Sequence, residues 1–216
     1  MKHSIVIVDD HPIVRKGFIQ LINLEEDLEV IGEAEDSAGA LDAMEKHKPD
    51  LVIIDLSLKN SSGLELIKDL ARLYPKLPML VVSLHDEKLY AERALRAGAK
   101  GFIMKMEATE NLLTALRQVL SGGVYLSDGM KSRMLESMTS RGKDKVSPIS
   151  VLSDRELEVF QMIGNGITTG EIASKLCLSV KTVETYKSNL KKKLRLHNSN
   201  ELIQHAVEWT LHNETW

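Results

Sequence analysis

The 216-residue sequence is 43% hydrophobic and 27% charged with a net charge of -3, proportions that exclude wholesale disorder or a fibrous repeat and leave room for two folded domains. Its longest unbroken apolar runs, such as 5–8 and 51–54, have four residues, against about 20 for a membrane-spanning helix. No apolar leader with a small-residue cleavage site follows Met1, and the single cysteine excludes an internal disulfide or a cysteine-rich zinc cluster, so a cytoplasmic protein without a membrane partner is expected.

A β-branched run at 4–8 opens the chain, followed by Asp9 and Asp10 and then by a helical pattern at 12–23, where Pro12 suits the first turn. Further strand-like runs at 29–34, 51–54, 79–83 and 101–104 alternate with helical patterns at about 37–47, 63–73, 86–97 and 109–121. Gly98 and Gly122 fit helix stops. Uninterrupted Val, Ile and Leu mark strands covered on both faces. Residues 1–121 therefore predict an α/β domain: a doubly wound, five-stranded parallel sheet with its functional edge at the C-terminal strand ends.

Residues 122–150 read as a linker. The stretch 139–150 is polar, contains Gly and Pro and lacks an apolar period, whereas 128–138 fits a short helix with Met130, Met134, Leu135 and Met138 on one side. From 151 to 216 only helical patterns remain, at about 153–164, 169–176, 180–194 and 199–212, which predict a small all-α domain. Cys177, between Leu176 and Leu178, is expected to be a small buried apolar residue there.

In the predicted sheet Asp9 and Asp10 end the first strand and Asp55 ends the third, so three carboxylates converge on one edge. Such a cluster is costly without a divalent cation, and oxygen ligands favour a hard ion such as Mg²⁺. Ser83 and Lys105 follow at the ends of the fourth and fifth strands. Together these groups suit phosphoryl chemistry: a carboxylate nucleophile, a cation to neutralise phosphoryl oxygens, and Lys and Ser to hold them. Taken singly, Asp10 has capping of the helix near Pro12 as a lesser alternative, whereas Asp55, Ser83 and Lys105 are equally suited to being ordinary loop residues. Their joint placement at separate strand ends favours the site.

Asp9-Asp10-His11-Pro12, Asp55 after Leu51-Val52-Ile53-Ile54, Gly63-Leu64-Glu65, Ser83, and Ala97-Gly98-Ala99 leading to Lys105 resemble the receiver domain of two-component response regulators, over residues 1 to about 121. The resemblance implies a flavodoxin-like fold with Asp55 as the phosphoacceptor. It further implies that Asp9, Asp10, Asp55 and the backbone carbonyl of Ser57 bind Mg²⁺, and that Ser83 and Phe102 occupy the switch positions. Two residues depart from it: Lys59 stands where many receivers have proline, and Met106 replaces the proline that often follows the lysine.

Charge is unevenly distributed. Residues 1–121 carry 15 basic and 20 acidic residues, whereas 181–195 carry six basic residues and only Glu184 as an acid. A basic stripe of this kind fits nucleic acid, and equally a solvated lysine-rich face. Residues 171–176, a turn at 177–179 and a helix at 180–194 have helix-turn-helix spacing. Val180, Val183, Leu190 and Leu194 share one side of the second helix. Lys181, Thr185, Ser188, Asn189 and Lys192 lie opposite, flanked by Glu184 and Lys191. Hydroxyls, amides and carboxylates can meet base edges while ammonium groups meet phosphates, which makes Lys181, Thr182, Glu184, Thr185, Ser188, Lys191 and Lys192 the candidate DNA contacts.

The segment Leu152-Ser153-Asp154-Arg155-Glu156-Leu157-Glu158-Val159, with Gly166, Glu171-Ile172-Ala173, Leu176, Ser179-Val180-Lys181-Thr182-Val183 and Lys193-Leu194, resembles the LuxR-type helix-turn-helix over about 150–212. Thr168-Thr169-Gly170 departs from the commoner Asn/Lys-rich entry to its second helix. The whole chain thereby resembles the NarL/FixJ family of response regulators. This resemblance implies a transcription factor, phosphorylated by a sensor histidine kinase or a small phosphodonor, that pairs as a homodimer on DNA through its last helix.

Two other readings use the same residues: a phosphotransfer enzyme working through an aspartyl phosphate, and a constitutive DNA binder with a vestigial receiver. No nucleotide-binding Gly-rich loop follows the first strand, which disfavours the enzyme, and the intact acidic set disfavours the vestigial receiver. Slow gain and loss of a phosphoryl group at Asp55 then belongs to a switch.

Overall fold

In the computed structural model, which describes residues 2–59, 61–139 and 148–213, the chain divides into two compact units, residues 1–141 and 142–216. Chain order in the first unit is β1 His3–Val8, α1 Pro12–Asn23, β2 Leu28–Ala34, α2 Ser37–His47, β3 Leu51–Ile54, β4 Ser57–Leu58, β5 Ser61–Ser62, α3 Gly63–Leu73, β6 Met79–Ser83, α4 Glu87–Ala97, β7 Gly101–Met104, α5 Ala108–Leu120 and α6 Asp128–Thr139. β1, β2, β3, β6 and β7 form one parallel sheet in the order β2-β1-β3-β6-β7, the flavodoxin-like arrangement that reverses beside β1.

Side-chain alternation explains why such strands are apolar throughout. Ile5, Ile7, Leu51, Ile53, Leu80, Val82 and Ile103 face a core completed by Phe18 and Ile22 of α1 and by Leu112, Leu116 and Val119 of α5. The intervening Val6, Val8, Val52, Ile54 and Val81 are as deeply buried, as are Met44 of α2, Ile67 and Leu70 of α3 and Ala94 of α4.

The expected strands and helices match these elements to within about a residue at each end. β4 and β5, two-residue strands paired antiparallel within the β3–α3 loop, are too short for an alternating pattern to announce them. Also new is the covering of the β7 edge: Tyr125 bridges to Gly101, its carbonyl accepting the Phe102 N–H at 3.0 Å. On α6, Met130 is buried but Leu135 is 64% exposed, so the expected apolar side is incomplete; the Met138 side chain lies outside the described residues.

The second unit holds a short 3-10 turn at Pro148–Val151, then α7 Asp154–Gly164, α8 Thr169–Lys175, α9 Val180–Leu194 and α10 Ser199–Asn213. Reciprocal caps pair Ser153 with Glu156 and Thr168 with Glu171, satisfying backbone donors that begin α7 and α8. Leu157, Phe160, Ile172, Val183, Leu190, Leu202 and Ala206 make its core.

Candidate functional site

The C-terminal ends of β1 and β3 lie side by side, with the Asp55 N–H donating to the Val8 carbonyl at 2.8 Å. Asp9 and Asp55 are each 2% exposed, an arrangement of two carboxylates that requires a counter-charge. Lys105, just beyond β7, supplies it: its Nζ lies 2.7 Å from Asp9 Oδ2 and 2.7 Å from Asp55 Oδ2. Ser83 is fully buried at the end of β6 and helps hold the Asp55 charge.

Burial pushes the Asp55 carboxyl above its ordinary pKa, and the Lys105 ammonium offsets only part of that rise. Burial acts downward on Lys105, yet the Asp55 and Asp9 carboxylates outweigh it and hold the ammonium above its ordinary value. The pocket thus sets a carboxyl group whose basicity burial raises beside an ammonium that its carboxylate neighbours keep protonated.

One oxygen is left over. Asp55 Oδ1 is buried without a hydrogen-bond partner, and Asp9, Asp10, His11 and Asp55 each present a ligand atom, all within 4.8 Å of one another. Carboxylate oxygens converging in this way around an orphaned one fit a hard divalent cation such as Mg²⁺. Asp10 does not cap α1: the N-cap position is His11, whose side chain makes no capping bond, and whose N–H donates instead to Asp9 Oδ1 at 2.8 Å.

Side chains without a distinctive sequence signal complete the surroundings. His11 Nδ1 stands 2.7 Å from Asp10 Oδ1, and Arg15 binds the Asp9 carbonyl and, at 2.6 Å, Glu33. The Nε2 of His85 lies 3.0 Å from Ser57 Oγ, and its ring packs on Tyr90 with centroids 4.5 Å apart. Burial, assisted by the Lys105 charge, pushes the His85 pKa down to about 4, so its imidazole is neutral at pH 7. Phe102 lies fully inside the unit. Lys59 has a local reason for not being proline: its N–H donates to the Glu35 carbonyl at 3.2 Å while its Nζ reaches Glu35 Oε1 at 2.8 Å. Met106 is 74% exposed.

In the second unit α8, a turn and α9 form the helix-turn-helix. Cys177 stands in that turn at φ 54° and is exposed, correcting its expected burial, because the left-handed backbone turns its side chain away from the core. Ser179 caps α9 through the Thr182 N–H at 3.0 Å. Val183 and Leu190 are buried as expected, but Val180, in the first turn, is 54% exposed because α9 starts beyond the core.

Lys181, Glu184, Thr185 and Lys192 are exposed on α9, and Thr182, Ser188 and Lys191 are half-buried. Some of these groups already have partners. Thr185 donates to the Lys181 carbonyl at 3.0 Å, and Thr182 Oγ1 lies 2.8 Å from Ser179 Oγ. Lys187 binds both Glu184, at 2.8 Å, and Thr169, at 3.0 Å; the ammonium holds the Glu184 carboxyl below its ordinary pKa. Lys193 is a tether to the core of the unit, 2.6 Å from the buried carboxylate of Glu156.

Known proteins share this arrangement. Residues 5–117 match the family model of the response regulator receiver domain, and residues 150–206 that of the bacterial regulatory proteins of the luxR family. The chain is 37% identical over 210 residues to the oxygen regulatory protein NreC of Staphylococcus carnosus and 38% identical over 210 residues to that of Staphylococcus haemolyticus. Each match covers 95% of this chain and 97% of the relative. Among solved structures, RcsB of Salmonella enterica serovar Typhimurium, bound to promoter P1flhDC in the presence of phosphomimetic BeF3-, is 29% identical with a TM-score of 0.69, covering 96% of this chain and 100% of that one. A LuxR-family two-component response regulator from Aurantimonas is 28% identical with a TM-score of 0.60, over 65% of this chain and 100% of that one.

Proposed function

This chain belongs to the two-component response regulators of the NarL/FixJ type, DNA-binding regulators that join a receiver to a LuxR-type helix-turn-helix, and we propose that Asp55 is the residue whose phosphorylation controls it. The observation that carries the proposal is the orphaned, buried Oδ1 of Asp55 beside a Lys105 ammonium that already holds Oδ2.

An Asp55 oxygen attacks the phosphorus of the donor in line, forming an acyl phosphate while the bond from phosphorus to the donor's leaving group breaks. Lys105 exchanges part of its hold on the carboxylate for a phosphoryl oxygen, and Ser83 donates its hydroxyl proton to another. Asp9, Asp10, Asp55 and the Ser57 carbonyl would hold Mg²⁺, which supplies further neutralisation of phosphoryl charge. Hydrolysis of the acyl phosphate resets the switch. Donors are a sensor histidine kinase or a small acyl phosphate.

On the output side, α9 enters the major groove. Lys181, Lys191 and Lys192 meet phosphates, while Thr182, Glu184, Thr185 and Ser188 face base edges, and two chains pair on DNA through α10. The hydrogen bonds that Thr185 and Glu184 make within the unit must be exchanged for, or shared with, contacts to bases. Solved RcsB structures include two dimers bound to two parallel DNAs, which supports the paired reading.

The test is intact mass after incubation with Mg²⁺ and acetyl phosphate. The wild-type chain gains one phosphoryl group and Asp55→Asn gains none; labelling of the variant at wild-type stoichiometry would remove Asp55 from the role.

A further inference from the structure

Four residues beyond Ser83, Glu87 begins α4 and holds the start of a different helix. Its Oε1 accepts the Ser127 backbone N–H at 3.0 Å, and its Oε2 accepts the Ser127 hydroxyl. That hydroxyl in turn accepts the Met130 N–H at 3.1 Å, so Ser127 caps α6. Serine has one hydroxyl proton, and donating it to Glu87 leaves the oxygen lone pairs for Met130.

The residues just before Ser127 are stitched to the sheet edge. Phe102 donates its N–H to the Tyr125 carbonyl, and Tyr125 donates its own to Lys100 at 2.9 Å. Residues 125–127 therefore join the strand carrying Phe102 to the helix that starts after Ser83. α6 has 12 residues, a length that is marginal for an isolated helix, and few of its described side chains are buried.

We infer that the Glu87–Ser127 clasp is an order switch for α6, closed while the turn at 83–87 keeps its present geometry and opened when Asp55 carries a phosphoryl group. The inference rests on the proposed role of Asp55. Ser83 Oγ now accepts the His85 N–H at 3.4 Å. A hydroxyl drawn to a phosphoryl oxygen shifts that turn and moves Glu87 with it, and hydrogen bonds weaken steeply once geometry departs from the optimum. Because α6 is the last element of the first unit, its order sets the stiffness of the segment leading into the DNA-binding unit.

Hydrogen exchange on the full-length chain tests this, in wild type, Ser127→Ala and Glu87→Ala, with Mg²⁺ and with or without acetyl phosphate, the intact mass of each sample being recorded. Without phosphodonor, the α6 amides of Ser127→Ala should exchange about fivefold faster than wild type and those of Glu87→Ala about twofold faster. Wild type should show a comparable acceleration on phosphorylation, and the two variants little further change. Wild-type exchange rates in both variants, or phosphorylated wild type with unaltered α6 exchange, overturn the clasp. Absence of any mass gain overturns the Asp55 reading and the coupling built on it, while the unphosphorylated variants still report on the cap itself.

Discussion

His85 illustrates how one side chain near the pocket ties stability to pH. In the unfolded chain its imidazole titrates near the ordinary value of about 6.5, and in the fold near about 4, so between these values the unfolded state binds a proton that the folded state refuses. The stabilisation is therefore complete above pH 6.5 and is lost as pH falls towards 4. We expect the unfolding free energy of wild type relative to His85→Gln to drop by about 1–3 kcal/mol across that window, measured by denaturant titration at stepped pH. A parallel pH profile in the two proteins would mean that the His85 ring is hydrated in the fold. Gly63 is a second sensitive point. A Cβ there would strike the Asp55 carbonyl and the Leu56 backbone, neither of which can swing aside, so Gly63→Ala should destabilise the first unit by about 2–4 kcal/mol.

Along α9 the lysines divide by what they touch. Lys181 and Lys192 are exposed, so Lys181→Ala and Lys192→Ala should leave the melting temperature unchanged. Each should lower affinity for all DNA sequences and reduce the log–log salt slope by about one. Lys193→Ala leaves the Glu156 carboxylate, 3% exposed, without its cation, and should destabilise the second unit by about 1–3 kcal/mol. Thermal melts beside fluorescence titrations at several salt concentrations separate the two effects. If Lys181→Ala and Lys192→Ala leave affinity and salt slope untouched, α9 is not the reading helix.

For the molecule as a whole, the acidic first 121 residues repel a polyanion that the basic α9 attracts. The fragment 142–216 is a compact unit and should bind target DNA without phosphodonor at least as tightly as the unmodified full-length chain. Phosphodonor and Mg²⁺ should then raise the affinity of the full-length chain but not that of Asp55→Asn. A fragment that binds more weakly than the unmodified whole at matched salt would favour activation through receiver-driven pairing instead.

What the sequence determined by itself was whatever repeats along the chain or sits at a strand end. Unbroken β-branched runs require strands buried on both faces, and the right-handed crossover then brings Asp9, Asp10, Asp55, Ser83 and Lys105 to one edge. Tertiary structure alone decided how these groups share their partners. It is what assigns Lys105 to both Asp9 and Asp55, His85 to Ser57, Glu87 to the cap of α6, Glu184 to Lys187 and Lys193 to Glu156. All but the Glu184–Lys187 pair join residues 28 or more positions apart, a spacing that leaves no local period to read. Whether a lysine meets a phosphate or a buried carboxylate depends on which side chain the fold brings within about 3 Å of its ammonium group.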